Sequence, residues 1–290
     1  MTHNFRAAGI MLAAMVMLSL NDAVIKHAGA TLTVPQMLLF RGLLVMAVFA
    51  AALKLSGLPI ISRQLIERWT IARGAFEVAA TTCFLSGLVL LPLAVASSLG
   101  FSSPIFIALL AGPVLGERVG ALRWIAMAVG FGGTLLITRP FSADFSAAML
   151  LPLAAAALVA GRDLVTRRIG PHQSSLYVAL ITATMVTVGG ALMSLFSWRP
   201  VSAASLGWIA LAAVLLSIAY FSLITAFRTG EAAAIAPLKY VSIVIAIILG
   251  AFIWDERLTS LQFAGVAMVV AAGVIIFYRE RRGPREPPES

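Results

Sequence analysis

Charged side chains are scarce in this chain. Asp, Glu, Lys and Arg make up only 11% of its 290 residues, whereas hydrophobic residues make up 61%. A soluble domain contains about 25% charged and about 45–50% apolar residues. The composition therefore indicates a protein embedded in a lipid bilayer. The net charge of +9 is spread over many short loops, unlike the concentrated basic face of a nucleic-acid-binding protein, so no nucleic-acid partner is expected.

Residues that could support catalysis or metal binding are equally few. Cys83 is the only cysteine, which excludes an intrachain disulfide and a cysteine-based metal site. The three histidines, His3, His27 and His172, are scattered near the ends of apolar runs, so no metal site is expected. The sequence has no phosphate-binding loop of the Gly-x-x-x-x-Gly-Lys-[Ser/Thr] form, which excludes ATP coupling within this chain. We therefore expect neither an enzyme nor a bound cofactor.

Long apolar runs are abundant instead. A helix needs about 20 mostly apolar residues to cross the hydrocarbon core. Ten such runs fit into the chain, separated by short breaks that contain proline or glycine. These runs, spans 1 to 10, cover residues 7–28, 34–55, 69–90, 94–115, 120–139, 146–166, 173–196, 205–228, 232–253 and 260–279. The sequence thus predicts an all-α membrane protein with ten transmembrane helices and a disordered cytoplasmic tail over residues 281–290.

The chain also repeats itself. Residues 84–140 and 221–279 read as two copies of one segment, and the Glu-Arg dipeptides at residues 117–118 and 256–257 align at an offset of 139. Further upstream, Asn21-Asp22 is echoed by Arg162-Asp163. A duplicated membrane chain is typical of a transporter whose substrate lies between its two halves.

Basic residues are distributed unevenly between the two sides of the predicted membrane. With the N-terminus in the cytoplasm, 15 of the 21 Lys and Arg residues fall on the inner side and four on the outer side. The positive-inside rule then places both termini in the cytoplasm. The repeats cover residues 1–140 and 141–280 with five spans each, and because five is odd the repeats must be inverted. A bacterial-type inner membrane is the expected location.

Several short sequence motifs in this chain together resemble those of one known protein family. Span 1 ends in Asn-Asp-Ala-x-x-Lys at residues 21–26, and Arg41 stands early in span 2. A Glu-Arg pair closes the penultimate span of each half, and residues 236–240 read Ala-Pro-Leu-Lys-Tyr. These features resemble the drug/metabolite transporter superfamily, EamA type, in its group of amino-acid and metabolite exporters. The resemblance implies a central cavity, lined mainly by spans 1, 3, 4, 6, 8 and 9, that opens to one side at a time.

Three charged residues in spans 1 and 2 are candidates for a gate. Asp22 and Lys26 are four residues apart and share a helix face, and Arg41 lies at a comparable depth. Charges within the hydrocarbon are costly and seldom face lipid. One interpretation is an Asp22–Arg41 or Asp22–Lys26 ion pair that locks spans 1 and 2. The other is a gating role, or a role in binding a substrate carboxylate, for Arg41 or Lys26.

Glu77 and Lys239 lie at similar depth in the inner half of spans 3 and 9. Glu77 could pair with Arg73 on its own helix, while Lys239 extends its ammonium to the inner surface. Alternatively, Glu77 and Lys239 both face the cavity. Glu77 is then the expected proton-binding carboxylate of a proton-coupled carrier, and uniport remains the alternative.

Two prolines within spans mark expected hinges. Pro104 in span 4 and Pro237 in span 9 each remove a backbone hydrogen bond, and the hydroxyls of Ser98 and Ser102 can satisfy a freed carbonyl. Broken helices in corresponding places of two halves indicate a binding site, although two tolerated kinks are the alternative. The nearby aromatic residues could stack on a planar substrate or merely pack. The aromatic candidates are Phe84, Phe101, Tyr220 and Tyr240.

The two acidic residues of the Glu-Arg pairs have a structural interpretation. Glu117 and Glu256 stand just before spans 5 and 10. A carboxylate there can accept hydrogen bonds from the free backbone N–H groups of the following helix and meets the positive end of its dipole.

The resulting functional hypothesis is a secondary transporter of small organic metabolites that acts as a monomer in the lipid bilayer. Export of amino acids and related compounds, with aromatic amino acids favoured, is the leading prediction. The alternative is uptake of a vitamin or nucleoside-like metabolite of the riboflavin or S-adenosylmethionine type. A membrane-embedded enzyme or scaffold is a third class, which the absence of a catalytic constellation and of a soluble domain disfavours.

Both termini are expected in the cytoplasm. A reporter enzyme that works only in the periplasm should be inactive when fused after Ser290, since the basic loops hold that side inside. A reporter that works only in the cytoplasm should be active at the same position. Activity of the periplasmic reporter would contradict the orientation and the inverted repeat together.

Overall fold

Helices account for all regular secondary structure in the described part of the chain. The computed structural model describes residues 2–59, 67–115, 121–139, 145–166, 168–169, 173–229 and 236–280. The α-helices in these residues are α1 (Thr2–Ala28), α2 (Val34–Leu55), α3 (Arg68–Leu90), α4 (Leu93–Gly100), α5 (Ser103–Leu115), α6 (Ala121–Thr138), α7 (Leu150–Thr166), α8 (Ser175–Ser194), α9 (Ala203–Thr229), α10 (Val241–Trp254) and α11 (Ser260–Glu280). Short 3₁₀ segments at Ala147–Met149 and Ala236–Tyr240 precede α7 and α10.

Ten apolar segments of this chain correspond to the ten predicted spans. Six helices in the described residues are long and apolar enough to cross a membrane. Four shorter apolar segments supply the remainder, namely Leu93–Ile107, Trp124–Thr138, Leu238–Trp254 and Ser260–Ile275. The prediction of an all-helical membrane protein is therefore confirmed.

The start of α2 shows why one helix begins where the sequence predicts. Thr33 is extended, and Gln36 reaches back to the Thr33 backbone N–H at 3.0 Å, which completes a reciprocal capping box. Pro35 lies in the first turn, where its missing N–H costs nothing. Gln36 is fully buried and also donates to the Arg199 carbonyl at 2.7 Å. The cap thus fixes α2 to the loop that follows α8.

Span 4 is broken into α4 and α5. The break lies at Phe101 and Ser102, immediately before the first turn of α5, which contains Pro104. The hydroxyls of Ser98 and Ser102 donate to carbonyls of α4, Ala94 at 2.6 Å and Leu99 at 2.5 Å respectively. Both serines are buried, so these bonds satisfy their polar groups within the apolar interior. The Pro237 side chain lies outside the described residues, and its backbone belongs to the 3₁₀ segment before α10.

The most extensive helix pairings join the first half of the chain to the second. Helix α1 packs along α9, α2 along α8, α3 along α7 and α6 along α11. The main buried cluster likewise contains residues of both halves, including Leu88, Leu99, Ile209 and Val269. The two halves therefore share one core.

Two glycines bring α6 and α11 into backbone contact. A Cβ atom added to Gly133 would lie 2.7 Å from the Gly265 carbonyl oxygen, and one added to Gly265 would lie 2.6 Å from the Gly133 carbonyl oxygen. Any side chain at either position would have to separate the helices. Small residues commonly allow such close approach between membrane helices, where van der Waals contact replaces the hydrophobic effect.

Replacing Gly133 by alanine should therefore destabilise the protein. We expect a loss of about 1–3 kcal/mol in unfolding free energy, the usual cost of overpacking, measured by unfolding in detergent. The matched control is Gly9→Ala in α1, where a Cβ atom meets nothing within 4 Å. Alanine is the better helix former by about 1 kcal/mol, so Gly9→Ala should be neutral or stabilising. Equal behaviour of the two variants would contradict the close contact.

Candidate functional site

A buried ion pair joins the end of α1 to the end of α10. Lys26 Nζ lies 2.6 Å from Glu256 Oε1, and the two side chains are only 10% and 14% exposed. The Lys26 ammonium also donates to the Leu91 carbonyl and lies 5.3 Å from the centre of the Trp254 ring, within the range of a cation–π contact. The predicted Asp22–Lys26 pair is therefore wrong, because the partner of Lys26 comes from the other half of the chain.

Glu256 uses its second carboxylate oxygen to cap a helix. Glu256 Oε2 accepts a hydrogen bond from the Leu93 backbone N–H at 2.7 Å. Leu93 is the first residue of α4, whose N-cap Pro92 offers no side-chain acceptor. The prediction that Glu256 caps its own following helix is wrong, because Thr259 and Gln262 cap α11. Glu117 lies outside the described residues.

A short turn places Glu256 against α4. Asp255 adopts a left-handed conformation with φ of 52°, one that short polar residues adopt more readily than most. The Glu256 N–H then donates to the Gly250 carbonyl at 3.1 Å. The Glu256 carboxylate folds back along α10 and lies so close to Gly250 that a Cβ atom added there would contact it. The charged pair therefore depends on a glycine and a strained turn.

A second ion pair connects α3 with α7. Arg162 Nη1 lies 2.8 Å from Glu77 Oε2, and the same guanidinium donates to Asp163 Oδ1 from Nε at 2.9 Å and from Nη2 at 2.8 Å. Arg73 instead donates to the Thr182 hydroxyl at 2.6 Å. The predicted Arg73–Glu77 pair is not the contact formed in the described part of the chain.

Sequence reasoning did not select Arg162 and Asp163 as site residues. The repeat offered one signal, because these two residues occupy the positions of Asn21 and Asp22 in the other half. A charged pair inside an apolar span was a second signal, since such residues usually face the interior of a bundle.

Asp22 has no cationic partner in the described part of the chain. Its Oδ1 accepts a hydrogen bond from the Asn21 amide at 3.0 Å, and no ion pair includes it there. The predicted Asp22–Arg41 pair is thus not formed. Glu77 was expected to bind the coupling proton because Asp22 would hold a cation. The opposite arrangement is found: Glu77 pairs with a cation, Arg162, and Asp22 has no cationic partner among the described groups.

Arg41 and Tyr220 mark the centre of this polar region. Arg41 is 9% exposed and lies within electrostatic range of Asp22, Glu77 and Tyr220, which belong to three other helices. Tyr220 is 48% exposed, although the charges of α2, α3 and α7 all act on its hydroxyl. Tyr220 is therefore a half-exposed aromatic side chain beside a group of charged side chains.

Lys239 adds a further cation near this polar region. It lies in the 3₁₀ segment before α10, within electrostatic range of Asp163 and Arg162. Its carbonyl accepts a hydrogen bond from the Ser242 hydroxyl at 2.9 Å. The Arg162 guanidinium that pairs with Glu77 thus also acts electrostatically on Lys239.

The other aromatic candidates are packed. The rings of Phe101 and Tyr240 lie 5.9 Å apart, and the Tyr240 hydroxyl occupies the space where a Cβ atom on Gly273 would be. The Phe84 ring covers Gly100, with 2.8 Å to an added Cβ atom. Of the four predicted aromatic residues, Tyr220 alone is half-exposed next to the charges.

A groove between α3 and α8 lies away from these charges. It has a volume of about 580 Å³ and a mainly apolar lining that includes Val78, Cys83, Met185 and Leu192. It contains none of the charged residues described above, so we assign the candidate site to the polar interior.

A bundle of apolar helices with charged side chains between them is typical of a membrane transport protein. The EamA-like transporter family model matches this chain twice, at residues 6–139 and 146–278. The chain therefore belongs to the EamA-like transporter family of the drug/metabolite transporter superfamily. The resemblance stated from the local features is confirmed, and so is the location in a bacterial inner membrane.

Curated relatives are transporters with different solutes. The chain is 26% identical over 282 residues to an S-adenosylmethionine uptake transporter of Rickettsia prowazekii, covering 96% of this chain and 95% of that protein. It is 27% identical over 218 residues to a riboflavin transporter of Rhizobium johnstonii, covering 75% and 72%. It is 27% identical over 287 residues to a pseudopaline exporter of Pseudomonas aeruginosa, covering 95% and 98%.

A solved crystal structure supports the fold. It matches with a TM-score of 0.62 at 19% identity and covers 97% of this chain and 100% of the other. The names of the relatives match the predicted class of vitamin and S-adenosylmethionine carriers, and they do not specifically support export of aromatic amino acids.

The Lys26–Glu256 pair should contribute strongly to stability. We expect Glu256→Gln, which keeps an acceptor for Leu93, to cost about 3–5 kcal/mol of unfolding free energy because Lys26 is left buried without its counter-charge. The double variant with Lys26→Gln should lose less than the two single losses added together. Unfolding in detergent measures all three.

The neighbouring pair Arg257–Asp255 is the matched control. Its side chains are 85% and 84% exposed, and exposed pairs contribute about 0–1 kcal/mol. Arg257→Gln should therefore have little effect. A loss as large as that of Glu256→Gln would show that the buried pair has no special role.

Proposed function

We propose that this protein is a secondary transporter that moves a small organic metabolite across the inner membrane by alternating access between two inverted five-helix halves. The observation that carries the proposal is the charged interior formed by Arg41, Glu77, Arg162 and Tyr220. These residues come from α2, α3, α7 and α9, whose other residues are mostly apolar. Charges inside a membrane are costly and usually mark the path of a solute.

The pattern of helix packing supports the inverted duplication. In such a duplication each span of the first half corresponds to the span five places later, so α1 corresponds to α7 and α3 to α9. The contact between α1 and α9 then corresponds to the contact between α7 and α3, and both are present. In each of the other two pairs, α2–α8 and α6–α11, a helix packs against its own counterpart from the other half. A two-fold relation between the halves requires these equivalences, and the bias of basic residues supports its orientation with both termini inside.

The two ion pairs suggest how the halves move. In the proposed orientation, the Lys26–Glu256 pair lies at the outer end and ties α1 and α4 to α10. The Glu77–Arg162 pair lies in the inner half between α3 and α7. Rocking of one half against the other must separate the outer groups before the outer side can open. The buried outer pair therefore supports a conformation that is closed on that side.

The solute we favour is a metabolite of the S-adenosylmethionine type. The support comes from relatives that match over nearly the whole chain. Tyr220 is half-exposed beside the charges, where its ring is available to stack on a planar group. The same ring is the observation that keeps export of an aromatic amino acid as the second candidate.

A flux assay with purified protein in liposomes tests this proposal. Saturable flux of labelled S-adenosylmethionine is expected, with riboflavin and phenylalanine measured in parallel. Tyr220→Ala should raise KM roughly tenfold, because stacking of a base on an aromatic ring contributes about 1–3 kcal/mol. Phe221→Ala is the control, because Phe221 is the neighbouring aromatic residue and is 74% exposed. The absence of saturable flux for all three compounds would reject the transporter proposal for these solutes, and an unchanged KM in Tyr220→Ala would remove Tyr220 from the site.

A further inference from the structure

Arg41 is a buried cation without an acceptor in the described part of the chain. It lies on α2 and is 9% exposed, yet no hydrogen bond or ion pair connects its guanidinium to another described residue. A guanidinium carries five N–H donors in a fixed planar fork. Leaving them unsatisfied in a region of low dielectric constant is costly. The geometry of the fork suits a carboxylate that it can bind through two hydrogen bonds.

Asn21 and Asp22 provide the opposite polarity on α1. Asn21 is 2% exposed, and its amide oxygen Oδ1 is buried and accepts no hydrogen bond. Its amide nitrogen is already used, because it donates to Asp22 Oδ1. Asp22 has no cationic partner among the described groups. Two neighbouring side chains thus present acceptor oxygens without a positively charged donor.

Asp22 and Arg41 lie within electrostatic range of each other and do not form an ion pair. Glu77, the other carboxylate near Arg41, is engaged by Arg162. The described helices therefore carry a positive group and a negative group that act on each other electrostatically and do not form an ion pair. A lone anion would be repelled by Asp22, and a lone cation would leave Arg41 unsatisfied. A ligand group that carries an ammonium and a carboxylate on the same carbon atom can satisfy both.

We propose that Arg41, Asp22 and Asn21 form the binding subsite for a zwitterionic amino-acid head group. Arg41 binds the carboxylate of this group, and the Asp22 carboxylate and Asn21 Oδ1 accept hydrogen bonds from its ammonium. The remainder of the ligand extends toward the Tyr220 ring. This assignment rests on the proposed transport function, and it makes the head group, not the rest of the solute, the feature that the site recognises.

The test compares ligands that lack one charge. Flux of labelled S-adenosylmethionine into liposomes containing the full-length wild-type protein is measured in competition with methionine, methionine methyl ester and 4-(methylthio)butanoic acid. The ester lacks the carboxylate charge and the acid lacks the ammonium. Methionine should compete at least about tenfold better than either analogue, because a site built for polar groups rejects ligands that leave them unpaired. Equal competition by all three would overturn the proposal without any variant.

Substitutions then assign each charge to a residue. Arg41→Gln should lose the preference for methionine over its ester and keep the preference over the deaminated acid. Asp22→Asn should show the reverse pattern. Arg41→Lys, which keeps the charge, should retain part of the preference and guards against a folding defect in Arg41→Gln. Lys54→Gln, which removes an exposed cation from the same helix, should change neither preference.

The outcomes separate this proposal from the transport function. Saturable flux of riboflavin alone would leave a transporter in place and overturn the head-group site. A uniform loss of affinity for all competitors in Arg41→Gln and Asp22→Asn would overturn it too, because a purely structural Asp22–Arg41 interaction predicts no change in selectivity. The absence of flux for every compound would reject the transport function and the site with it.

Discussion

The rest of this structure depends on the cost of placing charge where water is absent. In the hydrocarbon core a charged side chain must be paired, reach the interface or face a polar interior. Lys26 and Glu256 satisfy each other at one end of the bundle, and Arg162 satisfies Glu77 and Asp163 deeper inside. The Lys26–Glu256 and Glu77–Arg162 pairs each join helices from different halves of the chain. The same contacts that make the charges tolerable therefore hold the two halves together.

Glu256 illustrates how such a contact can serve two purposes. One oxygen neutralises Lys26 and the other occupies the free N–H end of α4, where Pro92 supplies no acceptor. Separation of the halves would remove both interactions at once. A group with two simultaneous partners makes this contact a discrete arrangement, because partial separation would leave a charge and a helix end unsatisfied together.

Small residues provide the complementary constraint. Gly133 and Gly265 hold α6 and α11 in backbone contact, and the serines of α4 bond to their own helix. These features contribute rigid packing rather than chemistry. Arg41 and Asp22 therefore stand out in the described part of the chain as charged groups that no other described residue pairs with.

The sequence by itself determined the membrane environment, the ten apolar segments and the family. Each of these depends on composition or on the order of residues along the chain: about 20 apolar residues span a bilayer wherever they occur. It also identified most of the charges in the interior, because charged residues are conspicuous in an apolar run. The duplication of the chain was visible as a constant offset between its Glu-Arg pairs.

Only the tertiary structure decided which of these charges meet. Spacing along a helix favoured Asp22–Lys26 and Arg73–Glu77, because residues four apart share a face. The bundle instead brings Lys26 to Glu256 and Glu77 to Arg162, from helices that are distant in sequence. A helical pattern gives the direction of a side chain relative to its own axis and not the identity of the neighbouring helix. Packing between the halves made that choice, and it left Asp22 and Arg41 apart.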